Sequence, residues 1–200
     1  MKNKIVLATG NRDKVKEIVE ILKNLDIELL TLKDFPGVPG VVEDGKTLAE
    51  NALKKARVVS EFTKVPAVSD DTGLEVDALN GAPGVYSSRY AGENATYADN
   101  VKKLLGDLEN VPPEKRQARF RCAVAYYSEN STQIVEGVCE GEITDQPHGN
   151  QGFGYDPVFF VPEYDCTFAE MDLNLKNKIS HRAKAFLKLR NWLEKSEFKF

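Results

Sequence analysis

The segment from Thr9 to Lys14 has the residue types that bind a phosphate group at the start of a helix. Residues 4–8 before it are typical of a short strand, and apolar residues at helical spacing follow it. At such a turn, exposed N–H groups and the helix dipole favour an anion. Gly10 would let a phosphate approach the backbone, and Lys14 would add a positive charge. The segment lacks the pattern of a P-loop, so a plain helix cap stays the alternative.

Glu43, Asp70 and Asp71 are acidic residues that could bind a metal ion. Residues 67–69 are typical of a short buried strand, and the acidic pair follows them directly. Carboxylates at a sheet edge suit a hard cation such as Mg²⁺ that also binds substrate phosphates. An Asp-Asp pair before Thr-Gly is as readily a turn or a cap, so both interpretations stay open. Residues 74–76 would continue the strand or form its neighbour.

An aromatic ring is flanked by two glycines in the segment 152–157, whose sequence is GFGYDP. Glycine loses the most conformational entropy on ordering, so this is a costly way to build a simple turn. A ring held on such a constrained loop could stack on a nucleobase. The alternative is a bulge that places Phe153 and Tyr155 in the core.

Cationic residues lie near the start of the last predicted helix, with Lys176 shortly before Ser180, His181 and Arg182. Positive charge at a helix N-terminus opposes the macrodipole, which favours acidic groups there. A bound anion or ligand acceptor would compensate, and Arg182 could offer a planar fork of donors. A structural or solvated role for His181 is the alternative.

The strands that must position these residues are predicted at 4–8, 28–32 and 67–69, with a long antiparallel pair at 119–127 and 133–143. A strand-helix-strand opening followed by long antiparallel strands predicts an α/β fold on a mixed sheet. The length of 200 residues is compatible with two packed lobes, but we expect one domain over residues 1–200.

The helices are predicted at 13–24, from Thr47 to about Thr63, at 96–108 and at 180–195. Thr47 with Glu50, and Thr96 with Asp99, have the spacing of capping boxes. The last helix has an apolar face made of Ala183, Phe186, Leu187, Leu189 and Leu193.

The composition excludes several classes of protein. A net charge of −4 argues against a surface for nucleic acid, which needs clustered Lys and Arg. The three cysteines have neither disulfide-framework nor zinc-ligand spacing, so we expect reduced thiols. No signal-peptide core or apolar stretch of membrane-spanning length is found, which favours the cytoplasm as the location.

Five segments together resemble the inosine triphosphate pyrophosphatase family, also called dITP/XTP pyrophosphatases. The segments are LATGNRDKVKE, EDGKTLAENALKKA, SDDTGLEVDALNGAPGVYSSRYAG, FGYDPVF and SHRAKA. The resemblance implies a two-lobed α/β fold on a long twisted mixed sheet flanked by helices, with the active site in the cleft between lobes. It also implies a Mg²⁺-dependent homodimer that converts ITP, dITP or XTP to the monophosphate and pyrophosphate, which keeps these nucleotides out of DNA and RNA.

The resemblance also implies residue roles. Thr9, Gly10, Asn11, Arg12, Asp13 and Lys14 match the triphosphate-binding turn. Glu43 and Asp71 match magnesium ligands, and Asp71 also matches the general base, with Asp70 and Lys14 as further catalytic candidates. Thr72 stands where serine is common and keeps the hydroxyl for a substrate contact. The nucleoside-recognition set is matched by Phe153, Gly154, Tyr155, Asp156, Lys176, His181 and Arg182.

Base selection has a physical basis, since hypoxanthine and xanthine present a 6-oxo acceptor where adenine presents an amino donor. We expect Phe153 to stack on the purine and Arg182, His181 or nearby amides to donate to the 6-oxo edge. Two rival functions remain: a sensor that binds triphosphates without hydrolysis, and a pyrophosphatase for modified pyrimidines or methylated nucleotides. A nucleic-acid-binding module would need a basic stripe, which the sequence lacks.

Overall fold

The computed structural model describes residues 3–196, which form seven strands and five α-helices. The strands are β1 (Asn3–Leu7), β2 (Ile27–Thr31), β3 (Ala67–Val76), β4 (Gln117–Tyr127), β5 (Thr132–Ile143), β6 (Phe159–Val161) and β7 (Cys166–Thr167). The helices are α1 (Arg12–Leu22), α2 (Leu48–Thr63), α3 (Tyr97–Asp107), α4 (Leu173–Ile179) and α5 (His181–Lys195). The expected helices and the expected hairpin are therefore present, with small shifts at their ends, whereas β6, β7 and α4 were not predicted.

The seven strands form one mixed sheet in the order β2-β1-β3-β4-β5-β6-β7. Strand β1 is parallel to both β2 and β3, while β6 is antiparallel to β5 and β7. The expected α/β fold on a mixed sheet flanked by helices is confirmed. None of the helices in residues 3–196 combines the length and apolarity needed to cross a bilayer.

The chain divides into two compact units, and the first contains residues 3–71, 122–137 and 181–196. Its main core packs α1 and α5 against the sheet through residues such as Ile5, Ile18, Phe186 and Leu189. A smaller cluster around Val6 and Val59 includes part of α2. This unit contains the phosphate-turn candidates at residues 9–14, the acidic pair Asp70 and Asp71, and the start of α5.

The second unit contains residues 72–121 and 138–180. Its core joins α3 to strands β4 to β7 through residues such as Leu104, Phe120, Phe159 and Phe168. This unit contains Thr72, the GFGYDP segment and Lys176. The expectation of a single domain over residues 1–200 stays a prediction.

Residues 74–76 continue the strand that begins at Ala67, which is one of the two alternatives that the sequence left open. Residues 67–76 form one continuous strand, so Asp70 and Asp71 lie inside it and do not follow its end. Successive side chains of a strand point to opposite faces, which sends the two carboxylates to different partners. A buried strand tolerates the two charges because each of them is paired.

The C-terminal helical region also differs from the prediction. Ser180 has an extended backbone and separates α4 from α5, so the last helix begins at His181. Leu187 is 38% exposed and does not belong to the buried face of α5. The cysteines are free, as expected, with Cys122 and Cys139 buried and Cys166 partly buried.

Candidate functional site

The turn between β1 and α1 is a helix cap built by two side chains. Oγ1 of Thr9 accepts a hydrogen bond from the N–H of Asn11 at 3.2 Å. Oδ1 of Asn11 accepts from the N–H groups of Asp13 at 2.9 Å and Lys14 at 3.2 Å. The capping alternative is therefore correct for these groups. The backbone at Gly10 is exposed, and no atom lies within 4 Å of where a Cβ would stand, so a ligand can approach it.

Asp70 lies on the face of β3 that meets α1 and α5. Its Oδ2 is 3.0 Å from Nζ of Lys14 and accepts hydrogen bonds from Nε and Nη2 of Arg182 at 3.2 and 3.1 Å. Nη1 of Arg182 donates to Oε2 of Glu17 at 2.6 Å. The parallel register of β1 and β3 aligns Leu7 with Val68, which brings the two strands together just before these residues.

The charges around Asp70 determine its ionisation. Burial alone would raise the pKa of its carboxyl group, but Lys14 and Arg182 hold that pKa well below its usual value. Asp70 is therefore an anion at neutral pH. It orients Lys14 and Arg182, and a group with so low a pKa is a poor proton acceptor.

Asp71 lies on the opposite face of β3, toward α2. Its Oδ1 is 3.3 Å from Nζ of Lys55, and Oε1 of Glu43 is 3.2 Å from the same nitrogen. Burial raises the pKa of Asp71, and the charge of Glu43 raises it further. Two carboxylates that converge on one cation, and that repel each other without it, are a donor set that suits Mg²⁺. Within residues 3–196, however, no cluster of three His, Cys, Asp or Glu side chains with metal-ligand geometry occurs.

Helix α2 places two further residues beside Asp71. Thr47 caps the helix by accepting from the N–H of Glu50 at 3.1 Å. Oε2 of Glu50 accepts a hydrogen bond from the N–H of Lys46 at 2.6 Å, one residue earlier than in a regular capping box. Nδ2 of Asn51 donates to Oδ2 of Asp71 at 3.1 Å.

Asn51 and Lys55 were not predicted from the sequence as site residues. They are four residues apart, so they occupy the same face of α2. The sequence feature that could have identified them is a polar and a cationic residue four positions apart, beginning one turn after the predicted cap at Thr47. In the structure, this helix packs against the strand that carries Asp71.

In the second unit, Asp156 organises the GFGYDP segment. Its Oδ2 accepts from the N–H of Phe153 at 2.8 Å and from Nζ of Lys176 at 2.5 Å. Nζ of Lys176 also lies 5.1 Å from the centre of the Phe153 ring. The ring of Phe153 is partly exposed, whereas Tyr155 is buried and donates from its hydroxyl to the carbonyl of Ser87 at 2.9 Å. The core alternative is thus correct for Tyr155 but not for Phe153.

The structure sorts the candidate residues into two groups, one in each unit. In the first unit, contacts link Lys14, Asp70 and Arg182 on one face of β3, and link Glu43 to Asp71 through Lys55 on the other. His181 is buried in the first turn of α5, next to Arg182. In the second unit, contacts link Phe153, Asp156 and Lys176, while the partly buried Thr72 lies in β3.

Comparisons with known proteins point to one family. The model of the Ham1 family matches residues 5–192. A dITP/XTP pyrophosphatase of Desulforamulus reducens is 53% identical over 186 residues, which cover 92% of each chain. The corresponding protein of Geobacter sulfurreducens is 51% identical over 191 residues, covering 95% of this chain and 96% of the relative.

Solved structures agree with these sequence matches. A HAM1 protein from Coxiella burnetii has a TM-score of 0.89 and 45% identity, covering 96% of this chain and 99% of its own. The Ham1 protein of Staphylococcus aureus has a TM-score of 0.87 and 37% identity, covering 97% of this chain and its full length.

Proposed function

The chain belongs to the Ham1 family, and from this we infer that it is a nucleoside triphosphate pyrophosphohydrolase. Its proposed substrates are the non-canonical purine nucleotides ITP, dITP and XTP, which it converts to the nucleoside monophosphate and pyrophosphate. This activity would remove them from the nucleotide pool before they enter DNA or RNA. The relatives named dITP/XTP pyrophosphatase support this substrate class.

The observation that carries the proposal is the convergence of Glu43 and Asp71 on one cation. Both carboxylates approach Nζ of Lys55 to within 3.3 Å. Mg²⁺ held by these carboxylates would supply charge neutralisation at the phosphate oxygens. Asp71, whose pKa is raised by burial, accepts a proton from the water that attacks the α-phosphorus. Lys14 and the open turn at Gly10 hold the departing pyrophosphate.

Base recognition is proposed for the loop of the second unit. Asp156 and Lys176 fix the backbone and one side of Phe153, which leaves a partly exposed ring on a constrained loop. Such a ring can stack on a purine. The expected donation from Arg182 to the 6-oxo edge stays a prediction, and in this structure each guanidinium nitrogen donates to Asp70 or Glu17.

The proposal includes a homodimer in the cytoplasm, as the resemblance implies. Light scattering of the purified chain measures its mass directly, and a monomer at working concentration would contradict the dimer. The rival of a non-hydrolytic sensor is disfavoured because a binder has less need of three carboxylates next to a phosphate turn. The rival pyrimidine or methylated-nucleotide substrates differ only in the base.

A substrate panel tests the reaction. ITP, dITP, XTP, GTP and ATP are incubated with Mg²⁺ and the protein, and the nucleoside monophosphate and pyrophosphate are quantified. We expect pyrophosphate from the first three and much slower release from ATP. Release of orthophosphate in place of pyrophosphate, or equal efficiency with ATP, would contradict the proposal.

Two variants test the site, one of Asp71 in β3 and one of Asp44 in the loop that contains Glu43. Asp71→Asn should lower kcat for ITP by about 10²–10⁴-fold, the usual contribution of a general base, without changing the fold. Asp44→Asn is the control, because this exposed neighbour of Glu43 pairs with Lys54 at the surface. Near-normal turnover in Asp71→Asn would remove Asp71 from the mechanism.

A further inference from the structure

The side-chain amide of Asn51 joins two backbone segments that carry the proposed metal-binding carboxylates. Its Oδ1 accepts a hydrogen bond from the N–H of Gly45 at 2.8 Å. Its Nδ2 donates to Oδ2 of Asp71 at 3.1 Å. Only 1% of Asn51 is exposed, so water does not compete for either bond. Gly45 is two residues from Glu43, and the amide therefore links the loop of one carboxylate directly to the other.

The chemistry of the two partners fixes the orientation of this amide. The N–H of Gly45 can only donate, so the oxygen of Asn51 must face it. The NH₂ group then faces Asp71, where an ionised carboxylate can only accept. A flipped amide would place its NH₂ group against the N–H of Gly45 and its oxygen against the carboxylate of Asp71. The arrangement therefore works in one direction only.

We propose that Asn51 is a positioning residue that holds Glu43 and Asp71 at a fixed separation and orientation for the metal ion. The proposal rests on the function inferred above. The two oxygens of Asp71 have different contacts. Oδ2 accepts the hydrogen bond from Nδ2 of Asn51, while Oδ1 faces Nζ of Lys55. The amide thus fixes the rotation of the carboxylate and leaves one oxygen toward the cation.

Lys55 cannot perform this task by itself. Its ammonium contacts both carboxylates, but a divalent cation that binds there competes for the same oxygens. The neutral amide of Asn51 carries no charge that a metal ion would repel. Its two hydrogen bonds can therefore persist whether or not the metal ion is bound.

Gly45 gives independent support from the other end of the link. A Cβ at Gly45 would stand 2.6 Å from Oδ1 of Asn51 and 2.9 Å from Cβ of Glu50. The loop can approach the amide this closely only because residue 45 has no side chain. The next residue, Lys46, is tied to the same helix turn through its N–H and Glu50 at 2.6 Å. The loop is consequently anchored to α2 through two successive N–H groups.

Asn51→Leu and Gly45→Ala test the proposal against a matched control. Leucine has a similar volume and removes both hydrogen bonds, while the added Cβ of Gly45→Ala crowds Oδ1 of Asn51 and so disturbs the bond to the loop directly. Asn100→Leu is the control: Asn100 is 2% exposed, accepts from the N–H of Ala91 at 2.8 Å and donates to the carbonyl of Ser88 at 3.1 Å, all in the second unit. Binding of Mn²⁺ to the nucleotide-free protein is measured by electron paramagnetic resonance, urea unfolding gives the stability, and steady-state assays give kcat and KM.

For Asn51→Leu we expect a loss of Mn²⁺ affinity of about 10–100-fold, as for other residues that orient metal ligands. Its kcat at saturating ITP should fall more than its KM rises. Gly45→Ala should lose less affinity than Asn51→Leu. Asn100→Leu should lose a similar amount of stability and keep the wild-type Mn²⁺ affinity.

Several outcomes would overturn the proposal. Wild-type Mn²⁺ affinity in folded Asn51→Leu would do so, as would an equal loss of affinity in Asn100→Leu or a wild-type protein that binds no Mn²⁺. If Asn51→Leu does not fold, Gly45→Ala decides, and unchanged affinity there overturns the proposal. A wild-type protein that binds Mn²⁺ but releases no pyrophosphate from ITP contradicts the proposed function instead, because the Mn²⁺ comparison needs no nucleotide.

Discussion

Arg182 donates two hydrogen bonds to a single oxygen of Asp70, from Nε at 3.2 Å and from Nη2 at 3.1 Å. The exposed fractions of the two side chains are only 2% and 0%. The third guanidinium nitrogen of Arg182, Nη1, donates to Glu17, whose side chain is 5% exposed. The guanidinium therefore joins α5 to β3 and α1 through charges that water does not screen. Such a group stabilises a fold only as long as every member keeps its partner.

Arg182→Ala should lower the free energy of unfolding by about 3–5 kcal/mol, because it leaves Asp70 and Glu17 as buried carboxylates without their guanidinium partner. Urea unfolding followed by circular dichroism measures the change. Arg57→Ala is the control, since Arg57 is 58% exposed and pairs with Glu61 on the surface of α2. Its loss should stay below about 1 kcal/mol. Equal losses of unfolding free energy in the two variants would show that the buried ion pairs of Arg182 stabilise the fold no more than a surface pair does.

Asp70→Asn should destabilise the protein in a pH-dependent way. Burial alone would raise the pKa of Asp70, but Lys14 and Arg182 lower it well below its usual value. A group with a lowered folded-state pKa stabilises the fold fully above its unfolded pKa of about 3.9. That stabilisation is lost as the pH falls from there through the folded-state pKa.

The difference in stability between wild type and Asp70→Asn should thus be largest near neutral pH and shrink below about pH 4. Urea unfolding at a series of pH values measures it. A difference that stays constant or grows on acidification would mean that the pKa of Asp70 is not lowered in the folded protein.

Much of the fold could be predicted from local patterns. Thr47 and Thr96 marked the starts of α2 and α3, because a cap is a local interaction that the sequence shows directly. The sequence left open whether residues 74–76 continue the strand at 67–69 or form its neighbour, because an Asp-Asp pair before Thr-Gly is as readily a turn or a cap. Inside the strand, Asp70 pairs with Arg182 of α5 and Asp71 pairs with Lys55 of α2, and local sequence spacing does not show either contact.

The candidate site could be predicted in part, because the sequence shows residue types but not the contacts between distant segments. The acidic pair and the cationic start of α5 were visible as residue types, but their pairing was not. A cationic helix start indicated a missing anion, and the anion that the structure provides is Asp70 of the protein itself. Asn51 was missed because its spacing from the predicted cap and from Lys55 does not by itself distinguish it from a surface residue, and its contacts with Gly45 and Asp71 are seen only in the structure.

Lys55→Met should change how strongly Mg²⁺ stabilises the protein. The ammonium of Lys55 separates the carboxylates of Glu43 and Asp71, so its removal leaves two acidic groups facing each other. The metal-free variant should have a lower Tm than the wild type, and saturating Mg²⁺ should raise the Tm of the variant by more than it raises that of the wild type. Differential scanning fluorimetry with and without Mg²⁺ measures both shifts. A smaller Mg²⁺ shift in Lys55→Met would place the cation elsewhere.

Phe153→Ala should raise KM for ITP while leaving kcat nearly unchanged, because stacking holds the base and does not act on the phosphates. Loss of a base-stacking ring costs about 1–3 kcal/mol, or roughly 5–150-fold in KM. Phe153→Tyr keeps a ring and should keep KM. The control is Phe62→Ala, which removes a ring that is 48% exposed on α2. An unchanged KM in Phe153→Ala, or an equal rise in Phe62→Ala, would contradict a stacking role.

Gly137→Ala should destabilise the protein and also lower its activity. Gly137 lies in β5, and a Cβ there would overlap the carbonyl oxygen of His181 and the N–H of Ala185. These are backbone atoms of α5, so the helix must move, at a cost of about 1–3 kcal/mol for overpacking. The movement would displace the first turn of α5, which holds His181 and Arg182.

Gly106→Ala provides the matched control, because the same substitution in α3 has the opposite expectation. No atom lies within 4 Å of a Cβ at Gly106, and alanine in a helix is favoured over glycine by about 0.5–1 kcal/mol. Urea unfolding should therefore show a loss for Gly137→Ala and a gain for Gly106→Ala, while pyrophosphate release should fall only in the first. Similar stability and turnover in both variants would mean that contact with β5 does not set the position of α5. In that case another contact would have to orient Arg182 toward Asp70.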